Sequence, residues 1–227
     1  MVFCFLAYGE EHINEFNTVV KMLWKIDSNY KVVVATDSPK DIIEGVYKVV
    51  EIKEEFNYNL KRVALAAALK ESNTVVFLDT DTFLRTGINF SELDNLENGM
   101  YAAEIVNLDS LKDVYGSLDY MKDYLKELTK VYTDELFLVH EGYFVLKIED
   151  KEQKKSFIEY WEDIDKQTRP HQRLAYDLPG AMEGIIMWIA LQKAKIDVKL
   201  TDERVAKVFD RLSHFGKRYC KLERTII

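Results

Sequence analysis

The sequence predicts one α/β domain, an α/β/α sandwich around a mixed and mostly parallel central sheet, spanning residues 1–227. Three observations carry that expectation. Apolar runs of strand length alternate with segments of helical periodicity through residues 1–105, as βαβ units do. Beyond residue 105 the alternation loosens, so the second half of the sheet is expected to be mixed. At 227 residues the chain is long enough to bury one sizeable core and too short for two ordinary domains joined by a linker.

Residues 2–8, VFCFLAY, form a continuous apolar run closed by Gly9, which marks a buried central strand. Ile13, Phe16, Val19, Val20, Leu23 and Trp24 then recur every three or four positions and predict an amphipathic helix over 12–26. A second strand, KVVVAT at 31–36, closes at Asp37-Ser38-Pro39, and a third is expected over 47–52. An alanine-rich helix over 60–71 leads into a fourth strand over 74–79, and 100–105 reads as a fifth. In the second half, helices are expected over 118–130 and 151–164, the latter burying Phe157, Ile158, Trp161 and Ile164, with a strand at 142–148 between them. Residues 169–180 hold Pro170 and Pro179 and read as a loop before an apolar helix over 184–195.

With only 9 glycines and 3 prolines and no low-complexity tract, disordered and collagen-like classes are excluded. No window approaches the ~18 consecutive apolar residues of a membrane span. No basic leader precedes the first strand, so neither secretion nor membrane insertion is expected. Cys4 and Cys220 suit neither a disulfide framework nor a zinc site, and a reducing cytoplasm is the expected location. A formal charge of −8 disfavours non-specific nucleic-acid binding, so any phosphate must be held locally. The cations Arg211, Lys217, Arg218, Lys221 and Arg224 read as a solvated tail, with contact to an anion as the alternative.

The chemistry concentrates at the end of the fourth strand. In VVFLDTDTF, residues 75–83, Asp79 and Asp81 follow four apolar residues. On an extended strand residues i and i+2 share a face about 7 Å apart, and two carboxylates so placed repel unless a cation joins them. The carboxyl ends of parallel strands are also where open α/β sheets hold their ligands. Asp163 and Asp165 repeat the spacing in or at the end of an expected helix, where the two side chains diverge by roughly 200° and can hardly share one metal.

A strand ending in hydrophobic-Asp-x-Asp resembles the signature of the GT-A class of nucleotide-sugar glycosyltransferases, and the resemblance covers most of the chain. Ala7-Tyr8-Gly9, after the first strand, and Ala35-Thr36-Asp37, closing the next one, resemble that class's nucleotide pocket. His214-Phe215-Gly216-Lys217 is similar to the histidine segment of its glycogenin-like group. The chain departs from that group where Arg218-Tyr219 follows Lys217 in place of Pro-Trp, and where His140-Glu141-Gly142 replaces Asn-Ser-Gly.

The resemblance implies a Rossmann-like GT-A domain in which residues 1–105 bind the sugar nucleotide and residues 106–227 the acceptor, with a C-terminal metal-ligand segment. It implies that Asp79 meets the ribose or the metal, that Asp81 coordinates Mn2+ or Mg2+, and that His214 is the third protein ligand. Imidazole in that set favours Mn2+. Ala7, Tyr8 and Asp37 would contact the base and ribose of a nucleoside diphosphate sugar, UDP above all, and Lys217 would assist at the diphosphate. Glu183, with Asp177 as the weaker choice, would be the carboxylate that faces the acceptor and takes its hydroxyl proton if the reaction inverts.

Lys61 and Arg62 stand in the first turn of the helix over 60–71, where each cation opposes the helix dipole by about 0.3–1 kcal/mol. An anion there removes the penalty, and a helix N-terminus is already a phosphate-binding surface, so a diphosphate is expected beside them. The resulting expectation is a metal-dependent hexosyltransferase that uses a nucleoside diphosphate sugar and a hydroxyl acceptor. Two other classes fit the motif: a phosphohydrolase of the haloacid dehalogenase type, with Asp79 as nucleophile and Asp81 as general acid, and a non-catalytic nucleotide-sugar-binding protein. His12, His140 and His171 read as structural or surface groups.

Overall fold

Strand β1 (Val2–Ala7) is apolar at every position because both of its faces are covered. Phe3, Phe5 and Ala7 pack on one side with Phe16, Val19, Val20 and Leu23 of helix α1 (Glu10–Ile26). Val2, Cys4 and Leu6 pack on the other with Leu65 and Ala68 of α2 (Lys61–Glu71). The period-two alternation of a strand thus divides one apolar run between two cores, and helices cover both faces of the sheet.

The computed structural model of the chain describes residues 1–102, 105–107, 123, 126–127, 130, 137–139, 142–168, 179–200 and 202–214. Within it follow β2 (Lys31–Thr36), β3 (Lys48–Glu51), β4 (Thr74–Leu78), β5 (Thr82–Leu84), β6 (Gly99–Ala102), β7 (Ile105–Asn107), β8 (Phe137–Val139), β9 (Tyr143–Lys147), β10 (Val198–Leu200) and β11 (Leu212–His214). Among the described residues the central sheet has seven strands in the order β10-β6-β9-β4-β1-β2-β3. β1 lies parallel between β2 and β4, and β3 continues the parallel block beyond β2. β9 then runs antiparallel between β4 and β6, and β10 is parallel to β6. The sheet is mixed and mostly parallel, with the parallel block in the first half of the chain.

Several boundaries differ from those expected. Helix α1 begins at Glu10 rather than residue 12, since Glu10 and Glu11 suit the positive end of its dipole and Gly9 takes the φ of +83° that the entry requires. The expected fifth strand is broken: β6 stops at Ala102, the last residue opposite β9, and β7 pairs separately with β8. Helix α4 (Pro179–Lys193) starts inside the expected loop. Proline is tolerated there because a first-turn residue has no intrahelical use for its missing N–H. Strands β5, β10 and β11, each three residues long, are too short to leave a periodic signal. Most of the expected helix over 118–130 and residues 169–178 lie outside the described residues.

Helix α3 (Lys151–Thr168) buries Phe157, Trp161 and Ile164 against the α2 face of the sheet. As the helical spacing requires, Asp165 is buried while Asp163 is exposed. The Trp161 indole N–H donates to Asn59 Oδ1 at 2.8 Å. That bond fixes the single turn Tyr58–Leu60 immediately before Lys61, so core packing sets where α2 begins. A short helix α5 (Glu203–Phe209) is capped by Asp202, whose carboxyl is held at about 2 by the Arg204 side chain and backbone N–H. No helix among the described residues is long and apolar enough to cross a membrane.

Candidate active site

β4 ends at Leu78, one residue before the paired aspartates. The Asp79 N–H donates to the Gly142 carbonyl at 2.7 Å, and the Thr82 N–H donates to the Asp79 carbonyl at 3.0 Å. Residues 79–82 therefore form a tight turn that redirects the chain into β5. This corrects the strand geometry expected for the motif: the carboxylates occupy the first and third positions of a turn rather than one face of an extended strand. β5 pairs antiparallel with β11 in the register Thr82↔His214, which brings the His214 backbone beside the motif from the far end of the sequence.

Lys61 reaches the motif from α2. Its Nζ lies 3.0 Å from Asp79 Oδ1 and 3.2 Å from Glu183 Oε1, and 5.1 Å from the centre of the Phe77 ring. Glu183 sits in the first turns of α4 and is 1% exposed, while the Lys61 side chain is 5% exposed. Three elements distant in sequence thus meet in one buried ionic cluster. The first-turn cation that looked awkward in sequence is offset by protein carboxylates, which do here what an anionic ligand was expected to do.

Arg62 goes elsewhere. Adjacent helical residues diverge by about 100°, and its guanidinium faces both oxygens of Glu54 at 3.3 Å. It lines a groove of about 400 Å3 with Lys48, Val63, Lys70 and Glu162, between α2 and α3. Lys61 and Arg62 are therefore not a paired phosphate clamp in this conformation.

Helix α1 approaches the turn from the opposite face. The Thr80 hydroxyl donates to Glu15 Oε2 at 2.9 Å. His12 Nδ1 lies 3.1 Å from the same carboxylate oxygen and 3.2 Å from Thr80 Oγ1. Glu15 and Thr80 are buried, whereas His12 is half-exposed. The hydrogen bond to Glu15 raises the His12 pKa; burial opposes the rise, and the charges of Glu15, Glu11 and Asp81 add to it.

Because the folded value lies above the unfolded one, the stabilisation from protonated His12 is complete below the unfolded value of about 6.5 and is lost as pH rises through the folded value. A proton NMR titration should place the His12 ring above that ordinary value, and Glu15→Gln should lower it. A wild-type ring titrating at or below the free imidazole value would mean that burial outweighs the Glu15 bond.

Of the remaining predicted positions, Ala7, Tyr8 and Asp37 lie at the ends of β1 and β2. Asp37 Oδ1 accepts the Gly9 N–H at 2.9 Å and ties the two strand ends together. The Tyr8 hydroxyl donates to the Glu54 carbonyl at 3.2 Å, and its ring lies 5.2 Å from that of Phe56. Ala7 has no exposed surface and belongs to the core, so the accessible end of β1 begins at Tyr8. Asp177 and Lys217 lie outside the described residues, as does the side chain of His214.

The chain is similar in structure to the galactosyltransferase LgtC solved with donor and acceptor sugar analogues, with a TM-score of 0.51 at 12% identity over 95% of this chain and 87% of that one. An active-site mutant of LgtC gives a TM-score of 0.52 at 11% identity, over 99% and 96% of the two chains. The fold is the GT-A fold. No protein-family model matches the sequence, and no curated protein does.

Within this GT-A frame the donor set suits a hard or borderline divalent cation. Among the described residues no three His, Cys, Asp or Glu side chains converge. The described donors are the Asp79 and Asp81 carboxylates, and Mg2+ is commonly held by one or two carboxylates together with substrate phosphates. Lys61 supplies one positive charge to Asp79 and Glu183, and Asp81 adds a third carboxylate two residues along the turn. Sequence reasoning missed two features around the Asp79–Asp81 turn: the pairing of Lys61 with Glu183 and the α1 network. For the second, the only local signal is the i,i+3 spacing of His12 and Glu15 at the start of an amphipathic helix.

Proposed function

We propose that the chain is a metal-dependent glycosyltransferase that moves a hexose from a UDP-sugar to a hydroxyl acceptor. The observation that carries this reading is the Asp79–Asp81 turn at the carboxyl end of β4, with Lys61 bound to its first carboxylate, in a fold shared with a galactosyltransferase. Asp79, Asp81 and His214 would hold Mn2+ or Mg2+; the cation, when bound, supplies positive charge to the departing diphosphate.

Lys61 orients Asp79, and Glu183 holds Lys61. Because both Glu183 oxygens are buried, its role is to position the ammonium rather than to take a proton directly. Asp177, two residues before the start of α4, keeps the acceptor-side assignment. Tyr8 and Asp37 border the base and ribose, and Lys217 assists at the diphosphate. A reducing cytoplasm suits the free, buried thiol of Cys4, whose pKa burial pushes well up.

Thermal unfolding with UDP tests the reading. A ligand at about 100 times its Kd stabilises by ~2.7 kcal/mol, and each kcal/mol moves Tm by about 2–4 °C at this chain length. UDP with Mn2+ should therefore raise Tm by roughly 5–11 °C, and UDP with EDTA by much less. Equal shifts in both would remove the metal from the site. Product analysis separates the classes: UDP released from a sugar nucleotide supports transfer, phosphate released from a phosphomonoester supports the phosphohydrolase, and binding without turnover supports a non-catalytic protein. The motif of the phosphohydrolase class normally follows the first core strand, whereas Asp79 follows the fourth.

A further inference from the structure

Two helices on opposite faces of the sheet converge on one four-residue turn. Lys61 of α2 binds the carboxylate of Asp79 from one face. Glu15 and His12 of α1 bind the Thr80 hydroxyl from the other. The Asp79 N–H is tied to the Gly142 carbonyl, one residue before β9. A turn between two strands needs no such set of tethers to reverse the chain, and Glu15 is a buried carboxylate whose desolvation has to be offset by the bonds it accepts.

We propose that Glu15, His12 and Thr80 form a positioning unit that fixes the Asp79–Asp81 turn in one conformation, from which its carboxylates would hold a divalent cation. Thr80 stands between the two carboxylates in sequence, so any rotation of its peptide units displaces both. Its hydroxyl donates to Glu15 Oε2 and lies within reach of His12 Nδ1, which fixes the side chain in one rotamer against α1. The imidazole in turn bonds the same Glu15 oxygen, so the three groups orient one another. His12 and Glu15 touch neither carboxylate in this arrangement; they act through Thr80, as outer partners act on metal ligands. The inference rests on the metal-dependent reading above.

The test is Mn2+ affinity, measured from the electron paramagnetic resonance signal of free Mn2+ on the full chain, with Tm in EDTA recorded alongside. Thr80→Val keeps the volume and removes the hydroxyl, and it should weaken Mn2+ binding by about 10- to 100-fold. Thr80→Ser restores the hydroxyl and should restore affinity to within a few-fold of wild type. Should Thr80→Val not fold, His12→Ala, on the half-exposed arm of the network, should still weaken Mn2+ by several-fold with little change of Tm in EDTA.

A Thr80→Val protein with lowered Tm but wild-type Mn2+ affinity would overturn the proposal, since the network would then only fasten α1 to the sheet. So would a Thr80→Ser protein as weak as Thr80→Val. If the wild type binds no Mn2+, both this inference and the metal-dependent reading fail. If the wild type binds Mn2+ and Asp81→Asn does not, while Thr80→Val binds normally, only the inference fails.

Discussion

Lys61→Met should lower the unfolding free energy in urea by about 3–5 kcal/mol, the loss expected when one partner of a buried ion pair is removed. Methionine fills nearly the same volume, so packing against Phe77 changes little and the effect is electrostatic. The ammonium it replaces lies 3.2 Å from a carboxylate that is 1% exposed, and that carboxylate would remain in the core without the Lys61 charge. Asp79 is 24% exposed and can turn toward water, so it contributes less of the loss. The double variant Lys61→Met/Glu183→Gln also removes the buried carboxylate's charge and should recover most of the stability. If the double variant is as unstable as Lys61→Met alone, the ion pair is not the source of the loss. In either variant Asp79 is no longer held from α2, so UDP binding in Mn2+ should weaken as well.

Asp81→Asn should abolish Mn2+-dependent UDP binding and transfer while leaving urea unfolding in EDTA close to wild type. The substitution keeps the side chain's size at a half-buried position and changes a hard anionic donor to a neutral one. A metal's stabilisation of developing charge amounts to several kcal/mol, so transfer should fall by about 1,000-fold for each ~4 kcal/mol lost. The Tm rise caused by UDP with Mn2+ should shrink to the value seen in EDTA. An Asp81→Asn protein that binds UDP and Mn2+ like the wild type would remove Asp81 from the metal site, and with it the main support for the proposed function.

The two substitutions separate two kinds of legibility. Asp81 is conspicuous in sequence because FLDTDTF joins a buried strand to paired carboxylates. Lys61 is visible only as a cation in an unfavourable helical position, and its partners cannot be inferred from spacing. Glu183 is 122 residues further along the numbering than Lys61, and the 3.2 Å contact exists because α2 and α4 both pack into the same core. His12 carries still less signal, since a histidine in the first turn of an amphipathic helix is ordinary. Its place beside Thr80 follows from α1 folding back across the face of β1 and β4.

The apolar runs of β1, β2 and β4 and the helical spacing of α1 and α3 were sufficient to determine the layers and the parallel block, because those features depend on periodicity and burial, which are local. The same run VVFLD could not indicate that the strand stops at Leu78, where a turn closed by the Thr82 N–H on the Asp79 carbonyl takes over and the Asp79 N–H bonds the Gly142 carbonyl, 63 residues further along. Nor could it tell Lys61 from Arg62, two neighbouring cations that a turn of about 100° sends to different carboxylates. Tertiary structure decided the partners of Lys61, Arg62, Asp79 and Glu183, because a buried charge takes its energy from groups within a few ångströms in space, wherever they lie along the chain.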